Sequence, residues 1–169
     1  MMWMSCSHNV VIDNAGDQPA TVEIGNVKYE IESKQSLEIS LDPGEYRISV
    51  TSGDGSGKRD TTVDIAEGGL INAGGGKYLV WKLLYGIADS TRDLITEKRV
   101  VLDSVIYKGD IAFIGPKILF VEKSWGLGLE EEFPEDKTLL VTEDYEVVSK
   151  IFRKKEFIET YRSFSSSRK

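Results

Sequence analysis

His8 is the only histidine of this chain and Cys6 its only cysteine, so any Ser-His-Asp or Cys-His arrangement must run through His8. If residues 6–8 are extended, the two side chains share a face with Cα atoms roughly 7 Å apart. Nothing beside them orients or activates the pair. A metal bound by one imidazole and one thiol would need carboxylates to complete its shell, and a thiolate cage is excluded. Gly53 to Gly57 is glycine-rich but lacks the G-x-x-x-x-G-K-[ST] spacing of a phosphate loop, and no βα pattern surrounds it. Asp54, Ser56 and Asp60 alternate as oxygen ligands do in a calcium loop. The sixth-position glycine and the closing bidentate glutamate are missing, so a plain hairpin loop is expected. Glu130-Glu131-Glu132, Glu135 and Asp136 supply carboxylates. Glycoside hydrolysis needs two of them facing each other across a sugar, whereas adjacent ones in a loop are solvated. No catalytic residue, cofactor site or metal site is assigned, and the chain is not expected to be an enzyme.

Aromatic side chains are the candidates for binding. Trp125, Tyr78 and Tyr85 are the ligand-binding positions to examine, because sugar-binding sandwiches stack their ligands on open Trp or Tyr faces. Trp81 fits core packing. Trp125 lies between charged residues and Gly126, and has two fates. It can stand open as a stacking platform, or fold back with Leu127 and Leu129 as a lid over the core. The alternation of Gly126 and Gly128 with Leu127 and Leu129 favours the lid.

Positioning these groups falls to β-strands. Leu37, Ile39 and Leu41 alternate with polar residues, as do Tyr46, Ile48 and Val50. A period of two marks half-buried strands. Asp42-Pro43-Gly44 joins them, with Pro43 presetting φ and Gly44 free to take the positive φ of a type II turn. Type II is not the favoured hairpin turn, so a wider connection, such as one between two sheets, fits as well. His8–Asp13, Thr21–Ile24, Val27–Ile31 and Thr61–Ile65 carry the same signature, with Gly25-Asn26 as a hairpin turn. Short strands about every ten residues predict an antiparallel sandwich.

Beyond Gly68-Gly69 and Gly74-Gly75-Gly76, the best candidate boundary, Tyr78 to Tyr85 is apolar on both faces. It suits a fully covered strand, although periodicity leaves a helix open. Val100–Tyr107, Asp110–Ile114, Lys117–Lys123 and Tyr145–Phe152 read as strands, with turns at Gly109-Asp110 and Gly115-Pro116. Lys154–Ser163 fits a short helix with Phe157, Ile158 and Tyr161 on one side.

The fold expected is mainly β: an antiparallel immunoglobulin- or prealbumin-like sandwich over 8–68, a β-rich extension over 69–164 packing on the same core, a short C-terminal helix and a disordered tail over 165–169. The strand Ala20-Thr21-Val22-Glu23-Ile24-Gly25 and the pair Leu41-Asp42-Pro43-Gly44-Glu45-Tyr46-Arg47-Ile48-Ser49-Val50 resemble the PEGA family of small β-sandwich domains over residues 20–65. The Gly-Tyr pair usual after the last strand is replaced here by the Gly/Ser loop. The resemblance implies a non-catalytic module, often found in bacterial envelope-associated proteins, and carries over no functional residue.

Composition narrows the partners. The net charge of −7 disfavours nucleic acid or an anionic membrane as the principal target. Residues 1–75 hold five Lys+Arg against twelve Asp+Glu, whereas 76–169 are balanced, with an acidic stretch at 130–146 and a basic one at 150–169. No run approaches the roughly 18 apolar residues of a membrane helix. Were a leader to precede Cys6, that cysteine would stand where a bacterial lipoprotein is acylated; without one the chain reads as soluble, with no localisation assigned. The functional expectation is a non-catalytic binding or scaffolding module with a protein or glycan partner, with a carbohydrate-binding module as the alternative.

Overall fold

The computed structural model describes residues 7–53, 57–86, 95–134 and 145–167. Cys6, Asp54, Ser56, Glu135 and Asp136, which entered the readings above, lie outside them. The described chain is mainly β: β1 (His8–Asp13), β2 (Ala20–Ile24), β3 (Val27–Ile31), β4 (Ser36–Leu41), β5 (Gly44–Ser52), β6 (Lys58–Ile65), β7 (Gly69–Asn72), β8 (Tyr78–Gly86), β9 (Lys98–Leu102), β10 (Val105–Ile114), β11 (Phe120–Glu122) and β12 (Tyr145–Arg153), followed by one helix, α1 (Lys154–Ser167). The chain divides into two compact units, Met1–Gly76 with Gly115–Ser124, and Lys77–Ile114 with Trp125–Lys169.

The first unit is a sandwich of two four-stranded sheets, ordered β11-β7-β1-β4 and β3-β2-β5-β6. Alternation works as expected: Val10 and Ile12 of β1, Val22 and Ile24 of β2, and Ile48 and Val50 of β5 enter one buried cluster. All pairings are antiparallel except β1 with β7, where Val10 to Asp13 run alongside Gly69 to Asn72. The first sheet thus takes in two strands from outside residues 8–68. Gly69 permits this, because a Cβ there would stand 2.3 Å from the Val121 carbonyl oxygen and 2.7 Å from the Phe120 ring. Two buried asparagines tie the turns. The Asn14 amide donates to the carbonyls of Gln18, Ile31 and Glu32, and that of Asn72 to Gly76 and Ile118.

Asp42-Pro43-Gly44 joins strands of different sheets, since β4 pairs with β1 and β5 with β2 and β6. Gly44 has φ 155°, not the value near 80° of a type II turn. The Tyr46 hydroxyl closes the corner by donating to the Asp42 carbonyl at 2.8 Å.

The second unit is an antiparallel sheet ordered β12-β8-β10-β9 with α1 against β8 and β12. Tyr78–Gly86 is a strand, which resolves the ambiguity of its apolar run. Its odd positions Leu79, Trp81, Leu83 and Tyr85 join the cluster with Phe152, Phe157 and Phe164, while Val22, Ile39 and Ile48 lie in the cluster of the first unit. Trp81 is the hub, 5.3 to 6.4 Å between ring centroids from Phe133, Phe152, Phe157, Tyr161 and Phe164. Burying roughly 200 Å² of indole contributes several kcal/mol at about 25 cal/mol per Å².

Three local expectations fail here. Val100–Tyr107 is not one strand, because Asp103 and Ser104 take φ 49° and 67° and turn the chain between Leu102 and Val105. Two successive positive φ values make a two-residue hairpin whose twist matches the strands, and it uses no glycine. Gly109-Asp110 is not a turn, since β10 runs through it. The helix does not stop at Ser163 but runs on to Ser167, so residues 165–167, expected in a disordered tail, are helical. The Ser165 and Ser166 hydroxyls donate to the carbonyls of Tyr161 and Arg162, one turn back.

Candidate functional site

Period-two geometry dictates that Val148, Lys150 and Phe152 of β12 point to one face of their sheet. Lys150 lies directly opposite Trp81. A lysine in that position must satisfy three N–H donors inside an aromatic core or leave them desolvated. Lys150 is 4% exposed, and its Nζ donates to the carbonyls of Gly128 (2.7 Å) and Leu129 (2.8 Å) while standing 4.7 Å from the centroid of the Phe152 ring. Burial pushes its pKa below the ordinary lysine value. The carboxylates of Glu156, Glu130 and Glu131 oppose that shift, and the Arg153 guanidinium adds to it.

The two carbonyls are in place because residues 126–129 run along the edge of β12. Gly126 and Leu127 donate to the Ser149 carbonyl, and Ile151 donates to that of Leu127. Glu131 accepts from the Gly128 N–H and closes the following turn. Arg153 then joins Glu130 at 2.7 Å to Glu156 at 3.0 Å, clasping that turn to the first turn of α1. Phe133 stacks on Trp81.

Between this segment and α1 lies a groove of about 690 Å³. Leu129, Phe133 and Phe152 supply its apolar lining, and Lys150 lines it as well. Its rim is acidic, from Glu131 and Glu132 on one side and Glu156 and Glu159 on the other. Spacing in α1 explains the division. Phe157, Tyr161 and Phe164 recur at intervals of three and four and face the core, while Glu156, Glu159, Thr160 and Ser163 form the adjoining stripe. Glu156 Oε1 accepts from Arg153, whereas its buried Oε2 has no hydrogen-bond partner among the described residues. Among the described residues, no group of three or more His, Cys, Asp or Glu is placed to hold a metal ion. Carboxylates at the rim and aromatic rings in the lining are groups that can contact the charge and the stem of an organic cation.

The aromatic positions singled out as binding candidates lie elsewhere, and Trp125 is covered, as the lid reading expected. Tyr78 is fully buried, Tyr85 is 6% exposed with its hydroxyl donating to the Pro134 carbonyl, and Trp125 is 9% exposed. A covered ring offers no face for stacking a sugar. Glu130, Glu131 and Glu132 are exposed, as expected of solvated carboxylates, and they also hold an ion pair, close a turn and line the groove. His8 is partly buried on β1, and Asp60 lies in β6 with an ion pair to Arg47. Lys150 and Glu156 had no place in the sequence reading. For Lys150 a signal was present: a lysine in step with Val148 and Phe152 sits on the apolar side of an alternating strand.

No protein-family model, no curated protein and no solved structure matches this chain.

Proposed function

We propose that this chain is a non-catalytic binding module, and that its second unit takes a basic side chain of a protein partner in the groove between residues 129–134 and α1. The observation that carries this is the pairing of an acidic rim with an aromatic lining around Glu156 Oε2, which has no hydrogen-bond partner among the described residues. A lysine or arginine side chain entering the groove would lay its stem on Phe133 and Phe152 and bring its head to the glutamates. The resemblance of residues 20–65 to PEGA domains supports a non-catalytic role. Burial of Tyr78, Tyr85 and Trp125 weighs against the glycan-binding alternative.

Calorimetric titration with blocked tri-lysine and tri-arginine peptides tests the proposal, with tri-glutamate as control. Binding of a basic peptide that weakens with salt and is lost in Glu156→Gln/Glu159→Gln is expected. Failure of both basic peptides to bind at millimolar concentration, or binding unchanged in the double variant, sinks it.

A further inference from the structure

The hairpin of β9 and β10 leaves an edge that the groove does not use. In the order β12-β8-β10-β9, β9 is the last strand. Its polarity follows from Lys108 of β10, whose N–H and C=O both bond to the Tyr161 hydroxyl on the β8 side. Backbone groups of successive residues in a strand point to opposite sides, so Val105, Tyr107 and Gly109 are the residues that hold β9. Their partners are Leu102, Val100 and Lys98. Arg99 and Val101 therefore direct their own N–H and C=O groups outward, where no further strand pairs with β9 among the described residues.

Side chains along this edge fall into two blocks. Val101 is 65% exposed and opposes Ile106, 57% exposed, on the same face; Val105 at the hairpin end is 47% exposed. Lys98, Arg99 and Lys108, all exposed, cluster at the other end, and neither β9 nor residues 105–109 contain a carboxylate. A second copy paired antiparallel through β9 about Val100 would set Arg99 against Val101 and Lys98 against Leu102, leaving each cation opposite an apolar side chain with no carboxylate to meet it. Self-pairing is disfavoured, whereas an acidic strand is complemented.

We infer that β9 is a site for strand addition by an extended partner segment whose apolar residues meet Leu102 to Val100 and whose two consecutive acidic residues meet Arg99 and Lys98. In the antiparallel sense, that segment reads three apolar or β-branched residues followed by two acids. Main-chain bonds to Arg99 and Val101 supply affinity, and the charge block sets the register. This surface is separate from the groove, and it stands or falls independently of the groove's ligand.

The test uses the full chain and a blocked heptapeptide, Ser-Val-Thr-Val-Glu-Glu-Ser. Amide NMR should show the largest shifts at Arg99 and Val101. Replacing both peptide glutamates by lysine should abolish binding, as should N-methylation at alternate positions, and Arg99→Glu or Lys98→Glu should each weaken it roughly tenfold. The inference is overturned by no binding at millimolar peptide, by equal binding of the lysine peptide, by indifference to N-methylation, or by shifts confined to the groove around Glu156. A concentration-dependent dimer that protects the Val101 amide without peptide would overturn it in favour of a second copy.

Discussion

A single hydroxyl satisfies both backbone groups of Lys108: Tyr161 Oη accepts its N–H at 3.1 Å and donates to its C=O at 3.0 Å. β8 pairs with β10 only where Tyr78–Lys82 meets Ile114–Asp110, so the ladder stops short of Lys108. β8 itself continues to Gly86 paired with β12, so Tyr161 supplies at Lys108 the bonds that the β8–β10 ladder does not. Its ring packs on Trp81 and Tyr107 as well. Tyr161→Phe keeps that packing and removes both bonds, so a loss of about 1 kcal/mol is expected. Hydrogen exchange at the Lys108 amide should quicken by more than at its neighbours in β10; unchanged exchange there would show that the hydroxyl does not hold the strand.

Lys150 should separate packing from charge. Lys150→Ala leaves a cavity and two carbonyls without a donor, and should cost about 2–4 kcal/mol. Lys150→Met keeps the stem but leaves the same two carbonyls without that donor, so it should cost less than Lys150→Ala by about the cavity contribution alone. The sign of the pH effect follows from the lowered pKa. Between that value and the ordinary one the unfolded chain binds more protons, so wild-type stability rises with pH in this alkaline window. Urea unfolding of both proteins from about pH 7 to about pH 10 should show wild type gaining on Lys150→Met. A constant difference would refute the assignment.

Ser104 and Gly44 carry opposite backbone predictions. Ser104 sits at φ 67° in a turn that favours glycine at that position, so Ser104→Gly should stabilise by about 0.5–1 kcal/mol. At Gly44, φ 155° is reached with difficulty by other residues although the space around it is open, so Gly44→Ala should cost about 1 kcal/mol through the backbone alone. Thermal melts of the two variants should move in opposite directions.

Proteolytic nicking at Gly74-Gly75-Gly76 should not release two independent halves. β11 lies beyond the nick in sequence yet pairs Phe120, Val121 and Glu122 with Ile71, Leu70 and Gly69 of β7. The fragments should co-elute in native size exclusion and part only in denaturant. Separation in native buffer would mean that β11 adds nothing to the first sheet.

Alternation by itself determined most of the strands. Val10 and Ile12, Val22 and Ile24, and Ile48 and Val50 announce their inward faces because a strand has a period of two and one covered side. The Pro43-Gly44 corner was visible for a similar local reason. Turns without glycine were not: Asp103-Ser104 looks like the middle of a strand, and only pairing of Leu102 with Val105 makes it a hairpin. Gly109 looks like a turn, yet the pairing on both sides carries β10 straight through it.

The candidate sites depended still more on the tertiary structure. Lys150 was legible as a lysine in phase with Val148 and Phe152, but its satisfaction by Gly128 and Leu129 requires a segment some twenty residues away to lie along β12. Glu131 and Glu156 are far apart in sequence and share a groove because residues 126–129 lie along β12 and Arg153 joins Glu130 to Glu156 at the start of α1. Local pattern reports which face of an element is apolar. Which element covers that face, and which polar groups are then left facing one another, is decided by non-local pairing that no short window of sequence contains.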